Sequence, residues 1–321
     1  MTDIQLFRFT DGAAIELVQR AAGLERDLQK IVEAQMEPLL GVRFLASEFV
    51  TDATHRGRID SLGIDENGCP VIIEYKRTVN ENVINQGLFY LSWLLEHRGE
   101  FRWLVMSTLG KEVADAINWA GARLLCIASD FKHYDLHAVR LIDRNIELIR
   151  YRIFDANLLM LELVHKVVAS GSAAAKGGVL DASGTPNSLQ PSLAPPVQEP
   201  TPVAKDKSHV ERLASASEEV KAIVEQLAEF TLSLGDDVTE RPSHLYTAFR
   251  RLKNFVSVIA YTNRVLVMLK VDPSTVQLEP GFSRDVTNIG HWGTGDLELT
   301  LQSLADLERA KPLIERSYRE H

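Results

Sequence analysis

Within residues 57 to 77, "GRIDSLGIDENGCPVIIEYKR", the chain sets an aspartate, a tight turn and an apolar run that ends in Glu-Tyr-Lys. A carboxylate and an ammonium closing so hydrophobic a strand need partners, because a buried charge is costly unless it is paired or ligates a metal. "DENG" fits a type I turn followed by Gly68 in the left-handed region, a hairpin register that pairs Asp65 with Cys69. Carried along the strands, that register sets Asp60 opposite Glu74. Alternation puts Ile72, Glu74 and Lys76 on one face, and Val71, Ile73 and Tyr75 on the other. Asp60, Glu74 and Lys76 are therefore expected to converge. Carboxylates that face each other repel unless a cation sits between them. Carboxylate oxygens completed by water suit Mg²⁺ or Mn²⁺.

Gln86 and Tyr90 follow on a stretch with helical spacing, four apart and so on one face, and Trp93 extends that stripe. Each residue alone has a blander reading. Glu-X-Lys is usually a solvated or ion-paired strand end, Tyr90 and Trp93 half-buried core, and Gln86 simply exposed. The combination of aspartate, hairpin, apolar strand and terminal Glu-X-Lys carries the weight. Other clusters carry less. His133, Tyr134, Asp135 and His137 read as a solvated loop and helix start. "GHWGTGD" reads as a loop packed by Trp292, and Arg250, Arg251 and Lys253 as the exposed face of a helix.

Asp60 followed by Glu74-Tyr75-Lys76 resembles the motif of the PD-(D/E)XK nuclease superfamily. The Gln86–Tyr90 pair resembles the Gln-x-x-x-Tyr element of its RecB-like branch. More narrowly, residues 57–77 are similar to the nuclease domain of NucS (EndoMS) endonucleases, a family that also uses a glutamate on an early helix, here best matched by Glu25. The likeness spans roughly residues 20 to 165. The order of domains departs from that family, in which the nuclease domain comes second, so mismatch-specific cleavage is not carried over. The resemblance implies a metal held by Asp60, Glu74 and the Tyr75 carbonyl, with Lys76 orienting the attacking water or stabilising developing negative charge. Glu25 would complete the metal shell or relay a proton. Arg56, Arg58 and Arg77 would position phosphates, and Gln86 and Tyr90 would contact the nucleic-acid backbone or orient Lys76. The function expected is a metal-dependent DNA endonuclease, in repair, restriction of foreign DNA or mobile-element processing. The alternative is a catalytically silent nuclease-fold protein that binds nucleic acid or a protein partner.

The elements that must position these residues follow from periodicity. "LERDLQKIVEAQMEPLLG" reads as an amphipathic helix with Leu24, Leu28, Ile31 and Val32 on one face, ending near Pro38 and Gly41. After the hairpin come a helix over "NENVINQGLFYLSWLLEH", capped near Asn80, a strand "FRWLVMS", a helix around 111–119 and a strand "RLLCIAS". A helix near 135–144 then precedes the strands "IELIRYRIF" and "LLMLELVHKV". The fold class expected is α/β: a restriction-endonuclease-like mixed sheet flanked by helices over residues 1–168. Residues 169–208, rich in Gly, Ala, Ser and Pro, read as a flexible linker. Residues 209–321 read as a smaller α+β domain. It contains helices over "ERLASASEEVKAIVEQLAEFTLSL" and "SHLYTAFRRLK", a hairpin turning at Thr262-Asn263, the strand "LELTLQS" and a final helix. Its tail resembles an uncharacterised C-terminal domain of bacterial proteins, found beside nuclease-like domains.

The formal net charge of −9 argues against a general polyanion clamp, so nucleic-acid contact requires a local basic cluster. No apolar run approaches the roughly 18 residues of a membrane span, and the start, "MTDIQLFRFTDG", has no signal-peptide pattern. Cys69 and Cys126 read as buried thiols in a reducing compartment. The expected location is the cytoplasm. The partners expected are DNA, a second copy of the chain in a homodimer, and a binding partner for the C-terminal domain, with no membrane.

Overall fold

The computed structural model describes residues 4–20, 25–51, 57–77, 82–155, 158–169, 208–291 and 293–321. Leu24, Arg56, Asn80, Trp292 and nearly all of the expected linker lie outside the described residues.

Two short strands, β1 (Leu6–Thr10) and β2 (Ala13–Leu17), form a hairpin of their own. The chain then runs through β3 (Gln19–Arg20), α1 (Glu25–Ala34), α2 (Met36–Leu40), β4 (Val42–Val50), β5 (Arg58–Asp65), β6 (Pro70–Lys76), α3 (Asn82–Glu96), α4 (Arg98–Leu109), α5 (Lys111–Asp115), β7 (Arg123–Ala128), α6 (His133–Arg140), β8 (Asn145–Phe154) and β9 (Leu158–Val167). These strands make one mixed sheet in the order β3-β8-β7-β6-β5-β4, with β9 added alongside β8. The β6–β7 and β7–β8 pairs are parallel, with α3–α5 and α6 as crossovers. The other pairings are antiparallel.

Helices cover both faces, which explains why β6 and β7 read as nearly continuous apolar runs. On one face Ile72, Leu124, Cys126 and Leu148 pack with Leu94 of α3 and Phe101 and Val105 of α4. On the other, Val71, Ile73, Tyr75, Leu125 and Ile127 pack with Leu28 and Val32 of α1 and Met36 and Leu40 of α2. Each fully buried aliphatic side chain contributes about 2 kcal/mol.

The C-terminal residues form α7 (His209–Ala214), α8 (Glu218–Ser233), β10 (Thr239–Pro242), β11 (Thr247–Arg250), β12 (Asn254–Ala260), β13 (Val265–Leu269), β14 (Ser283–Asp285), β15 (Leu297–Leu301) and α9 (Leu304–Glu320). The strands build an antiparallel sheet in the order β10-β11-β12-β13-β15-β14. Val220, Ile223 and Leu227 of α8 and Leu307, Ala310 and Ile314 of α9 pack against one face of it.

Several expectations need correction. "FRWLVMS" is part of helix α4: Phe101 and Val105, four apart, are buried, while Trp103 is 64% exposed. That is helical spacing inside a short apolar run, which length alone cannot assign. "SHLYTAFRRLK" contains strand β11 instead of a helix. The expected helix over residues 24–41 is two helices, with Gly41 at φ 64° closing the second, and Ile31 points away from the core at 47% exposure. The expected helix from residue 211 onward is likewise split, with Ser217 capping α8 by accepting the Val220 N–H. Arg250 is a buried strand residue, only 3% exposed, and not part of a solvated helix face.

Candidate active site

The hairpin forms in the expected register. Gly68 takes φ 72°, its N–H reaches Asp65 O at 3.0 Å, and the Asp65 N–H reaches Cys69 O at 2.9 Å. Ser61 faces Ile73 and Leu62 faces Ile72, so the next pair along is Asp60 and Glu74. Their carboxyl groups lock the strands together. Glu74 Oε1 accepts the Asp60 N–H at 3.3 Å, and Asp60 Oδ2 accepts the Tyr75 N–H at 3.0 Å.

Glu74 is fully buried, and its second oxygen, Oε2, has no hydrogen-bond partner and no exposure. Burial, reinforced by the Asp60 charge, pushes the Glu74 carboxyl up to about 9. Burial also raises Asp60, against the opposing pull of the Tyr75 N–H and the Lys76 charge. The pair thus needs a proton or a cation to be comfortable at neutral pH.

Lys76 closes β6 beside them. Its Nζ donates to Glu25 Oε1 at 2.9 Å. Burial alone would lower the ammonium, but the Glu25 hydrogen bond and the charges of Glu25, Asp60 and Glu74 outweigh it and hold Lys76 protonated. Glu25 Oε2 also accepts the Arg77 N–H at 3.4 Å. The glutamate therefore acts here as a clamp on the end of β6. Glu25 opens α1, whose Leu28 and Val32 pack on the Val71, Ile73 and Tyr75 face of the sheet, opposite the face that bears Glu74 and Lys76.

One positioning residue escaped sequence reasoning. Gln29, one turn beyond Glu25 on α1, is 5% exposed. Its Nε2 donates to Asp60 O at 2.8 Å and also lies within reach of Glu33 Oε1 and Ser47 Oγ. Ser61 Oγ donates to Glu33 Oε1 at 2.6 Å and lies 3.2 Å from the buried Tyr75 hydroxyl. The signal was available as a polar stripe, Glu25, Gln29 and Glu33, repeating every four residues beside the apolar Leu28 and Val32.

Tyr90 is buried, at 6% exposure. Its hydroxyl accepts the Arg58 N–H at 3.1 Å and the Gln86 side-chain amide at 3.3 Å, and so holds the start of β5. Gly57 lies so close that a Cβ there would collide with the Tyr90 ring. Arg58 pairs with Glu48, and Arg77 is exposed at the mouth of the site. Among the described residues, no three His, Cys, Asp or Glu side chains converge as a metal-binding group. His133 and His137 lie with ring centroids 4.5 Å apart on α6, and Asp135 accepts the Lys132 N–H at 2.9 Å, a helix-start role.

Residues 210–321 match a domain of unknown function, DUF5655. At that level the expectation drawn from the tail holds, and Asp60, Glu74 and Lys76 lie outside the match. An uncharacterised protein of Haemophilus influenzae is 26% identical over 321 residues, covering 99% of this chain and 100% of the relative. No solved structure matches the chain. Among the described residues no helix is long and apolar enough to cross a membrane.

Proposed function

We propose that the chain is a metal-dependent DNA endonuclease that hydrolyses phosphodiester bonds at Asp60, Glu74 and Lys76. The observation that carries this reading is the buried Glu74 Oε2, which has no partner and sits beside a second carboxylate. An orphaned oxygen there forfeits its hydration without return unless a proton or a cation meets it. A divalent cation fits the residues present. Asp60 and Glu74 supply anionic oxygens, the Tyr75 carbonyl is the third protein ligand implied by the resemblance, and a small protein ligand set suits Mg²⁺, which keeps several waters.

Bound there, the ion would lower the pKa of a water and offset charge on the phosphoryl oxygens. The chain's own residues do the rest. Lys76, held by Glu25, presents a compact ammonium next to the carboxylates, where it can orient a nucleophile or meet negative charge on a phosphate. Gln29 and the Tyr75 N–H fix both ends of Asp60. Arg58 and Arg77 flank the site as phosphate contacts, and Gln86 and Tyr90 support Arg58 from behind.

The test is incubation of the full chain with single-stranded, duplex and branched DNA in Mg²⁺, Mn²⁺ or EDTA. Chelator-sensitive cleavage that Glu74→Gln abolishes is the expected result. DNA binding without cleavage under every condition would replace this reading with that of a silent nuclease fold.

A further inference from the structure

Strand β9 leaves the mixed sheet open on one side, a feature independent of the nuclease reading. Among the described residues it pairs with β8 alone, along Leu158–Val167, with Val164 skipped where the register shifts. An open edge is a template for another chain, and proteins blunt such edges by shortness, charge, proline or a bulge. The other edges of the two large sheets carry these devices. β3, β10 and β14 have two, four and three residues, and β10 includes Pro242. β4 shifts register between Phe44 and Ala46, holds Glu48 at φ 54° and carries the charges of Arg43 and Glu48. β9 has ten residues, "LLMLELVHKV", apolar except for Glu162, His165 and Lys166. Glu162 is taken by Arg150 at 2.8 Å, and Lys166 donates to Thr239 Oγ1 at 2.8 Å. Neither charge is left to guard the edge.

The side chains say what kind of strand fits. Pairing with β8 sets Leu159, Leu161 and Leu163 beside Ile153, Tyr151 and Ile149, and turns Met160 and Glu162 to the other face. A groove of about 530 Å³ runs along this stretch, lined by Leu161 and Leu163 and bounded by Ile4, Leu252, Arg251 and His321. The missing neighbour therefore needs an apolar row on the leucine face. β9 is itself such a strand. Two copies of one strand that pair antiparallel are related by a two-fold axis through the sheet, so each face meets its own counterpart. With the axis at Leu161, that residue faces its own copy, Leu159 faces Leu163, and Met160 faces Glu162. Moving the axis by one residue to Glu162 would oppose two like charges, which is destabilising. The pairing stretch, residues 158–164, is symmetric about Leu161 and ends at the irregularity at Val164.

We propose that β9 pairs antiparallel with β9 of a second copy, centred on Leu161, so that the two mixed sheets join into one. Main-chain bonds of this kind supply affinity, and the leucine row supplies register. A stable interface takes about 800 Å² from each partner, more than a strand edge provides. The β1–β2 hairpin extends it. A two-stranded sheet on its own is marginal in water, and this one exposes Phe9 and Ile15 at 80% and 53%. It is anchored near the start of β9, where the Asp155 N–H donates to Val18 O at 3.0 Å. Antiparallel pairing carries each hairpin toward the far end of the other copy's β9.

The test is sedimentation of the full chain, with cross-linking as a second readout. The wild type should be a dimer. Leu161→Lys and Leu161→Glu should each be monomeric with the wild-type circular dichroism spectrum, and an equimolar mixture should dimerise again, because lysine then faces glutamate across the axis. Leu161→Cys should form a disulfide-linked dimer on mild oxidation, since directly opposed strand residues lie about 4.5–5.5 Å apart at Cα, within disulfide reach. Leu141→Cys, on a side chain 89% exposed, is the control for random collision and should cross-link far more slowly. Should a charged variant lose the wild-type spectrum, the cross-linking rates decide. A monomeric wild type, a dimer that survives both charged substitutions, or equal cross-linking of the two cysteine variants overturns the proposal.

Discussion

Replacing Glu74 by glutamine should stabilise the metal-free protein, against the usual outcome of altering a fully buried polar residue. The Glu74 carboxyl has an ordinary value of 4.5 and is pushed up to about 9 by burial and by Asp60. A carboxyl raised in this way takes up a proton on folding between those two values. Its contribution to stability is therefore undiminished below about pH 4.5 and falls as pH rises toward 9. Holding that proton at pH 7 costs about 3 kcal/mol. Glutamine is neutral at every pH, retains an oxygen for the Asp60 N–H, and avoids the cost. In EDTA, urea unfolding of Glu74→Gln should thus show a gain of about 3 kcal/mol at pH 7, shrinking to nothing near pH 4.5. Adding Mg²⁺ should reverse the order, because only the wild type has the carboxylate pair proposed to bind it, and tight binding to the native state adds stability by mass action. A variant less stable than wild type in EDTA at pH 7, or a gain that does not change with pH, would refute the account of Glu74 as a strained, uncompensated acid.

Other expectations concern the neighbours of Glu74. Asp60→Asn should fold and yet lose cleavage and divalent-metal binding together, which calorimetry with Mn²⁺ measures directly. Lys76→Arg should fold and bind DNA normally but slow single-turnover cleavage on the order of a hundredfold, because a wide guanidinium misplaces the donor. Near-normal cleavage would reduce Lys76 to a charge partner of Glu25. Gln29→Ala should destabilise by about 1–3 kcal/mol by stranding the Asp60 carbonyl, read from urea midpoints. A protease site engineered into residues 170–207 should yield fragments that still co-elute on gel filtration, since Glu66, Asn67 and Asp65 are bonded across to Lys270, Asn254 and Arg250; separate elution would count against that interface.

The geometry of the candidate site was largely legible because a two-stranded hairpin is a local object. Four turn residues fix the register, and the register carries Asp60 to Glu74 without reference to the rest of the chain. The long apolar helix α3 was equally plain. Sequence reading failed where tertiary context decides. In "FRWLVMS" the apolar residues suit either period, and the choice fell to packing of Phe101 and Val105 against the sheet. Arg250 sits in a strand of four residues, too short for alternation to register. Its acidic partners, Asp65 and Glu147, are more than a hundred residues away. No pattern along the chain could announce that pairing, so a buried cluster looked like a solvated face.

The hairpin tip has a consequence for modularity. Asp65, Glu66 and Asn67 turn the chain between β5 and β6, yet they also bind the C-terminal sheet: Glu66 takes Lys270 and the Asn254 N–H, and Asn67 pairs with the Asn254 side chain and lies 3.2 Å from the Tyr246 hydroxyl. Three adjacent residues thus serve as turn and as socket. Transplanting residues 209–321 onto another carrier would need this tripeptide as well, presented at the same angle. A chimera with a different turn, even one that closes the hairpin equally well, would lose its docking plate. The two halves are therefore exchangeable only as a matched set.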